Sequence, residues 1–484
     1  MQVGQLMQQL RLDEQTLAGA AAMGTAIHAL VRDLFPLTRS ITGAGLRETV
    51  RRLGAVAPLK VTEVPSGMPV FDWTIPNEWS IEEAYIEHES GRRFADFQRC
   101  NLHVIGYSTP IDTTMALDEL RPRLYSLPEH PDWIPYLTSY YKDNWGFCLA
   151  DRELRALPAG KYRVVIRSQL RPGSLTLAEH VHPGATDDEV LVFAHDCHPS
   201  LANDNLSGVA VAIHLAAYLA RKETRYTYRF VFAPTVIGAI AWLATNERRL
   251  GRIRHGLVLS LLGDSGPLQY KKSRAGTRVI DRAASHVLRT ECHGARVRDF
   301  VPWGYDERQF CSPGIDLPVG RLTRTPNGEF PEYHTSGDNV DFVSAPALGQ
   351  AWLACLKIFE ALEGDARYVN LKPKCEPQLG RRGLYRTTPG FYTSLPERQW
   401  ALNWMLNQSD GTASVLDIAE KSGLPVSLLA QAAAELLAAG LIAPAPITEK
   451  APRRVRAQKP YREATGDGRR TREAQRAALT NRGR

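Results

Sequence analysis

The stretch His195-Asp196-Cys197-His198-Pro199-Ser200-Leu201-Ala202-Asn203-Asp204-Asn205-Leu206-Ser207-Gly208 decides how the rest of the chain is interpreted. An unbroken apolar run at 190–194 precedes it, which is typical of a strand buried on both faces. Apolar residues at helical spacing follow it as far as Leu219. A buried strand followed by a helix places the loop between them at the carboxyl edge of a parallel sheet, where open α/β folds bind their ligands.

This loop carries two imidazoles, those of His195 and His198, and a carboxylate, that of Asp204. Neutral imidazole nitrogen and carboxylate oxygen form a ligand mixture that Zn²⁺ prefers. A lone aspartate at this position would more often cap the helix that follows. Because two histidines share the loop with it, the stretch predicts a metal site.

Length and composition limit the class of protein. A chain of 484 residues exceeds one ordinary hydrophobic core, so two to four domains are expected. The first residues lack the pattern of a signal peptide, and no apolar stretch approaches the length of a membrane span. The seven cysteines form an odd set without a Cys-x-x-Cys pair. This favours a reducing compartment, so a cytoplasmic location without membrane attachment is expected.

The formal net charge of +7 comes from the C-terminal tail. Residues 450–484 carry twelve Lys and Arg against three Asp and Glu, and the remaining chain carries 47 against 49. The tail has almost no large apolar side chains, so residues 448–484 are predicted to be disordered. A solubilising role is favoured over contact with nucleic acid or with an acidic partner.

The other segments alternate between helix-like and strand-like sequence patterns. Residues 1–57 indicate helices, whereas about 66–175 indicate a β-rich domain inserted into an α/β domain, with strands at 70–73, 102–105 and 162–166. The aromatic residues of this insertion are interpreted as its core rather than as a carbohydrate platform. Downstream, the pattern predicts strands at 228–233, 256–262 and 317–322 and helices at 238–250, 279–290 and 345–362.

Two further polar residues follow these predicted elements. Asp264 comes directly after the strand at 256–262, where a carboxylate alone would more often cap a loop. His334 lies in a loop rich in Gly, Pro and acidic residues, where a merely structural histidine is less expected.

Residues 395–445 predict a separate helical module. Three helices, at 397–406, 414–422 and 425–439, form a helix-turn-helix pattern. The third helix contains no Arg or Lys, although a helix that enters the major groove needs donors to phosphates and bases. The module is therefore interpreted as a packing or protein-binding unit, and nucleic acid is not an expected partner.

The motifs Asp204-Asn205-x-Ser207-Gly208 and His334-Thr335-x-x-Asp338 resemble those of the zinc aminopeptidase and glutamate carboxypeptidase superfamily. More closely, the chain is similar to bacterial aminopeptidase-like proteins that have an inserted β domain and a C-terminal winged helix and are often encoded among surface-polysaccharide or natural-product genes. The matching stretches are 35–43, 70–73, 131–136, 195–208, 305–313 and 329–339.

The resemblance implies an α/β fold with a mixed sheet flanked by helices. It divides the chain into an aminopeptidase-like domain at 1–65 and 176–370, the β-rich insertion at 66–175, a winged helix at 371–447 and the tail at 448–484. Two metal ligands, Asp204 and His334, carry over directly, and Asp264 matches a third. The remaining ligand is a histidine, either His195, which stands at the strand end, or His198. Of the two, His198 is favoured.

One departure from the superfamily concerns its pair of acids, a general base and a ligand of a second zinc. The matching positions hold Pro234, Thr235 or Val236, so one zinc ion per chain is expected rather than two. The general base would have to come from elsewhere. Glu332 is favoured, with alternatives at Glu329, Asp306 and Glu307.

The sequence thus predicts a zinc-dependent hydrolase that cleaves an amide in a peptide or an acylated small molecule such as an amino sugar. A second hypothesis is a catalytically degenerate metal-binding scaffold, and a third is a DNA-binding regulator. Homo-oligomerisation is left open.

Overall fold

A computed structural model of the chain describes residues 10–384 and 396–445, so the predicted disordered tail lies outside the described residues. The helices are α1 (Glu14–Ala18), α2 (Ala20–Leu34), α3 (Ala44–Leu53), α4 (Leu117–Leu120), α5 (Asp151–Arg155), α6 (Gly208–Leu219), α7 (Ile237–Asn246), α8 (Val279–Glu291), α9 (Glu307–Phe310), α10 (Ala345–Glu363), α11 (Glu397–Gln408), α12 (Val415–Ser422) and α13 (Val426–Ala438). The strands are β1 (Lys60–Pro65), β2 (Pro69–Val70), β3 (Trp73–Thr74), β4 (Glu78–His88), β5 (Arg93–Phe94), β6 (Ile111–Ala116), β7 (Leu124–Tyr125), β8 (Phe147–Cys148), β9 (Lys161–Arg171), β10 (Ser174–His182), β11 (Glu189–His195), β12 (Thr227–Ala233), β13 (Ile253–Leu259), β14 (Gln269–Lys271), β15 (Arg296–Arg298), β16 (Val319–Thr323), β17 (Arg367–Asn370), β18 (Asp410–Ser414) and β19 (Ile442–Pro444).

The central sheet has eight strands in the order β1-β10-β12-β11-β13-β16-β14-β15. Its middle, from β12 to β16, is parallel, and antiparallel pairs flank it on both sides. Along β11, Val190 and Val192 enter one hydrophobic core while Leu191 and Phe193 enter the core on the other face. A strand buried on both faces explains the unbroken apolar run in its sequence.

Helices cover both faces of this sheet. The larger core contains the apolar faces of α2, α6, α8 and α10, and the opposite core contains that of α7. Helices α2 and α10 approach closely at Gly24, where a Cβ atom would lie 2.1 Å from the carbonyl oxygen of Ala345. A larger residue at position 24 would therefore force these helices apart.

The segment between β1 and β10 contains a second sheet, in the order β5-β4-β9-β6 with antiparallel pairing, and a hydrophobic core of its own. The strand expected at 162–166 is confirmed within β9. The strand expected at 70–73 is wrong, because Phe71 has a φ of 55° and the chain turns between β2 and β3. The strand expected at 102–105 is also wrong, since Asn101–His103 form a turn of 3₁₀ helix.

The last part of the described chain is a winged helix, with α11, α12 and α13 beside the sheet β18-β17-β19. Its apolar residues continue the larger core that also contains α8 and α10. Strand β17 pairs with both β18 and β19, which favours a domain division before Arg367 rather than after residue 370. The predicted fold class, a mixed sheet flanked by helices with a β-rich insertion and a winged helix, is confirmed. Within the described residues, no helix combines the length and apolarity needed to cross a membrane.

Candidate metal centre

The candidate centre lies where β11 ends. His195 is the last residue of this strand, and its side chain is completely buried. His198 follows in the loop, and the irregular turn Ala202–Ser207 then brings Asp204 back beneath both imidazoles. The carboxyl edge of the parallel strands thus holds the polar residues that the sequence predicts there.

Three imidazoles converge on the buried carboxylate of Asp204. Its Oδ1 lies 2.9 Å from His195 Nε2 and 3.5 Å from His198 Nδ1. Its Oδ2 lies 3.0 Å from Nε2 of His334. The structure therefore brings together four of the sequence-predicted residues. His195 comes from β11, His198 and Asp204 come from the segment that follows this strand, and His334 comes from a loop 130 residues beyond Asp204.

A hydrogen-bond network fixes the turn around Asp204. The Asp338 carboxylate accepts the backbone N–H groups of Asn203 and Asp204 at 2.6 and 2.9 Å. The Asn205 side chain donates to the backbone oxygen of Leu259 and accepts from the backbone nitrogen of Leu261. The peptide bond between Asp204 and Asn205 is cis. These bonds hold Asp204 against the ends of β11 and β13.

Aromatic rings enclose the three imidazoles. Tyr305 stacks on His195 with ring centroids 4.6 Å apart, and Tyr333 stacks on His334 at 4.0 Å. Tyr136, from the insertion, presents its ring edge-on to both His198 and His334. His195 and His198 are buried, so charges and dipoles around them interact more strongly than in water, whereas the His334 side chain is 34% exposed.

The donor set fits a metal ion such as zinc. Donor atoms of His195, His198 and Asp204 lie within 4.8 Å of one another. His198 Nδ1 is buried and makes no hydrogen bond within the described chain, although it points toward Asp204. Burial lowers the pKa of His195 and so favours the neutral imidazole that a metal requires. An orphaned buried nitrogen is costly, and a bound cation would satisfy it.

Three other predicted residues lie outside this group of donor atoms. His334 contacts it only through Oδ2 of Asp204, at 3.0 Å. The Asp264 carboxylate accepts hydrogen bonds from the Asn203 amide, from the backbone of Gly266 and from both the backbone and the hydroxyl of Thr325. Asp264 therefore reaches the centre through Asn203, the neighbour of Asp204. Glu332 lies on the turn that leads into His334, and its side chain is half-buried.

At the end of β12, where the superfamily has its acidic pair, the structure places a carboxylate from another loop. The Asp306 carboxylate accepts the Val236 N–H at 2.7 Å and the Thr235 hydroxyl at 3.2 Å, and its Oδ2 lies 3.9 Å from His195 Nδ1. Val236 has a φ of 60°, and Ile237 donates its N–H to the carbonyl of Thr235. This strained γ-turn aims the Val236 N–H at Asp306.

Sequence reasoning missed the contacts of Asp306 with Val236 and His195, because it considered Asp306 only as a base, and it missed the packing of Tyr136, Tyr305 and Tyr333 on the imidazoles. All three tyrosines lie in stretches that matched the bacterial group, so the resemblance contained a signal for them. Their contact with the histidines depends on tertiary packing, which no local pattern records.

Comparison with known families gives two matches. Residues 28–365 match a family described as "Domain of unknown function (DUF4910)", and residues 366–444 match a winged helix-turn-helix family. The first match covers more than half of the chain. The second begins just before β17, in agreement with the pairing of that strand.

Individual proteins that resemble this chain over most of its length agree with the family match. A protein from Clostridium acetobutylicum named "Putative polysaccharide biosynthesis protein with aminopeptidase-like domain" is 46% identical over 408 residues, which cover 84% of this chain and 94% of that protein. The crystal structure of a "putative peptidase" from the same organism is 44% identical, with a TM-score of 0.84 over 88% of this chain and 98% of that one.

A zinc aminopeptidase from Bacillus subtilis shares the fold at 13% identity, with a TM-score of 0.53 over 71% of this chain and 94% of that one. At this identity the likeness concerns the fold alone. The chain is therefore a member of the DUF4910 family of aminopeptidase-like proteins, in which the aminopeptidase-like region is followed here by a winged helix-turn-helix.

Proposed function

We propose that the protein is a zinc-dependent hydrolase of amide bonds and that His195, His198, Asp204 and His334 hold one zinc ion. The observation that carries this proposal is the convergence of three imidazoles on one buried carboxylate. Three nitrogen donors and one oxygen donor match the ligand types and the ligand number of a zinc site. Since the donor atoms of both His195 and His198 belong to one compact group, we infer that both are ligands rather than one of them alone.

A single ion is favoured over a pair. A second zinc would need acidic ligands at the end of β12, where Thr235 and Val236 stand. The Asp306 carboxylate reaches this place but is engaged by these two residues, and that of Asp264 is engaged by Asn203 and Thr325. A site with one ion is therefore the better match to the donors that remain.

The zinc ion and the residues around it would together supply the chemistry of amide hydrolysis. Zinc, when bound, polarises a carbonyl group and lowers the pKa of a bound water. Stacking on Tyr305 and Tyr333 fixes the ring planes of His195 and His334. Asp306 faces the ring nitrogen of His195 that points away from Asp204, which is the place of a residue that orients a ligand. We propose Glu332 as the general base that removes a proton from the attacking water, because it stands on the turn that carries His334.

The relatives support our proposal of a substrate class. Their links to peptidases and to polysaccharide biosynthesis favour a peptide or an acylated amino sugar, both of which contain an amide. All seven cysteines are free, which supports our proposal of a cytoplasmic location.

A metal-binding scaffold without turnover is the second candidate, favoured by the absence of the acidic pair from residues 234–236. A DNA-binding regulator has less support. In α13 the charged residue Glu435 is acidic and pairs with Arg398, so this helix does not offer cationic donors to phosphates.

The test is elemental analysis of the purified full-length chain together with Asp204→Ala and a matched control, Asp264→Ala. We expect close to one equivalent of zinc per chain, lost in Asp204→Ala and retained in Asp264→Ala. Two tightly held equivalents would overturn the single-ion assignment, and no zinc would overturn the metal centre. Zinc without cleavage of any amide in a panel of peptides and N-acyl amino sugars would favour the scaffold.

A further inference from the structure

A cavity of about 660 Å³ lies near the candidate metal centre. Part of its lining comes from the insertion and contains Trp73, Tyr140 and Tyr141, and another part contains Phe300, from a loop, and Arg308, from α9. Thr235 and Val236 form part of its floor. Its volume is that of a site for a small organic molecule.

Two routes connect this cavity to the metal centre. The Tyr140 hydroxyl hydrogen-bonds that of Tyr136 at 2.7 Å, and the Tyr136 ring contacts His198 and His334. On the other side, Thr235 and Val236 bind Asp306, which faces His195. A molecule in the cavity would therefore contact Tyr140, Thr235 and Val236, whose partners Tyr136 and Asp306 face the imidazoles.

Exposed aromatic side chains line the cavity. Tyr141 is 53% exposed and Trp73 is 39% exposed, and Trp303, which contacts the lining residue Arg308, is 70% exposed. Trp73 and Tyr141 make an edge-to-face pair at 5.3 Å. A cluster of exposed aromatic residues around a cavity indicates a binding surface rather than chance exposure.

The two arginines that line the cavity differ in whether an acidic residue already pairs with them. Arg274 is held by Asp316 at 3.1 Å. Arg308 differs, because its Nε is buried without a hydrogen-bond partner in the described chain and its guanidinium lies 5.5 Å from the Trp303 ring. A guanidinium that lines a cavity and has no carboxylate partner in the described chain is a donor for a carboxylate or a phosphate.

We propose that this cavity binds an anionic sugar, one that bears a carboxylate or a phosphate, as part of the substrate of the neighbouring metal centre. The aromatic walls suit the apolar face of a sugar ring, and Gln309 and Ser312 on the same lining suit its hydroxyl groups. Arg308 binds the anionic group. The proposal rests on the proposed function for the role of this sugar as a substrate, but binding itself requires no turnover.

The test is isothermal titration calorimetry of the full-length protein with four probes: N-acetylmuramic acid, an N-acetylglucosamine phosphate, neutral N-acetylglucosamine and N-acetylphenylalanine. We expect at least one anionic sugar to bind about 10-fold or more tightly than the neutral sugar. Whichever anionic sugar binds more tightly identifies carboxylate or phosphate as the preferred group. Arg308→Gln should abolish this preference, while Arg274→Gln, a matched control on the same lining, should keep it. Trp73→Ala should weaken binding of all three sugar probes, because each would contact the aromatic lining, and Trp73→Phe should restore part of it.

Equal binding of charged and neutral sugars, or equal losses in the two arginine variants, would overturn the role of Arg308. Tighter binding of N-acetylphenylalanine than of either anionic sugar would overturn the sugar class. Circular dichroism and zinc content of each variant show whether the fold and the metal centre are intact. Because the titrations are made with inactive protein as readily as with active protein, a failure of hydrolysis and a failure of this proposal are distinguishable.

Discussion

The ionisation of Asp204 depends on a balance among its neighbours. Burial raises the pKa of this carboxyl group, but the nearby His198 imidazole and the hydrogen bonds of His195 and His334 outweigh burial and hold the pKa well below its usual range. The residue therefore keeps its negative charge in a completely buried place. Such a charge needs a compensating cation, which is the physical reason to place a metal ion there.

The first residue-level prediction concerns the histidines. If both His195 and His198 are ligands, His195→Ala and His198→Ala each remove one of four donors, and each should lower zinc affinity by more than the roughly 10- to 100-fold that loss of a supporting residue costs. Competition titration with a chromogenic chelator measures the affinity. His293→Ala, an exposed histidine elsewhere, is the control and should leave it unchanged. Retention of zinc by His195→Ala alone would leave His198 as the ligand and His195 as its support.

The second residue-level prediction concerns Asp306, whose pKa burial raises to about 7. Asp306→Ala leaves the Val236 N–H without its acceptor and should lower the free energy of unfolding by about 1–3 kcal/mol. Asp306→Asn keeps an acceptor oxygen and should cost less. Urea denaturation compares the two variants. An equal loss in both would show that the charge of the carboxylate, rather than its hydrogen bond, stabilises the γ-turn.

These residues also show what a sequence can and cannot predict. His195, His198 and Asp204 share one loop, so their residue types and spacing indicate a metal site directly. The engagement of Asp264 by Asn203 and Thr325 depends on how three loops pack, and spacing contains no such information. Asp306 reaches the end of β12 from 70 residues away for the same reason.

At the scale of secondary-structure elements, the length of the apolar pattern decides how accurately the sequence predicts an element. The helices expected at 279–290 and 345–362 are confirmed within one residue at each end, since their apolar periodicity extends over three or more turns. In the insertion, short apolar runs do not distinguish strands from turns. The runs at 70–73 and 102–105 therefore misled the prediction, and β4 was missed although it is eleven residues long.

Helix α10 offers an element-level prediction through Glu360. Its side chain accepts the Leu12 N–H at 3.0 Å, and burial raises its pKa from 4.5 to about 7, with Glu291 raising it further while Arg11 and Lys357 lower it. In the unfolded chain this group ionises near pH 4.5, whereas in the folded chain it stays protonated until about pH 7. Its contribution to stability is therefore fully present below pH 4.5 and is lost as the pH rises to 7.

Glu360→Gln keeps the acceptor for Leu12 but cannot ionise. We expect this variant to have a higher melting temperature than the parent chain at pH 8 and a similar one at pH 4.5, as measured by thermal denaturation at both values. A gain for Glu360→Gln that is the same at both pH values would contradict the assignment.

The whole molecule is organised so that separate regions meet at the candidate metal centre. His195 and Asp204 come from the central sheet and the loop beside it, and His334 from the loop that precedes α10. The insertion is joined to this last loop, because the Tyr136 N–H donates to the His334 carbonyl at 2.8 Å and the Ser336 N–H donates to that of Ile134. A metal ion held by these residues would therefore couple the sheet to the insertion.

This arrangement predicts that zinc stabilises the whole folded chain. A ligand that binds only the folded state at 100 times its Kd adds about 2.7 kcal/mol to the free energy of unfolding. In a chain of this size we expect such a gain to raise the melting temperature by a few degrees. Dialysis against a chelator should therefore lower the melting temperature, and added zinc should restore it, whereas magnesium should not. In a variant that combines His195→Ala with His198→Ala, neither treatment should have an effect. If this variant responds to the chelator as the parent chain does, the stabilising ion is held elsewhere in the molecule.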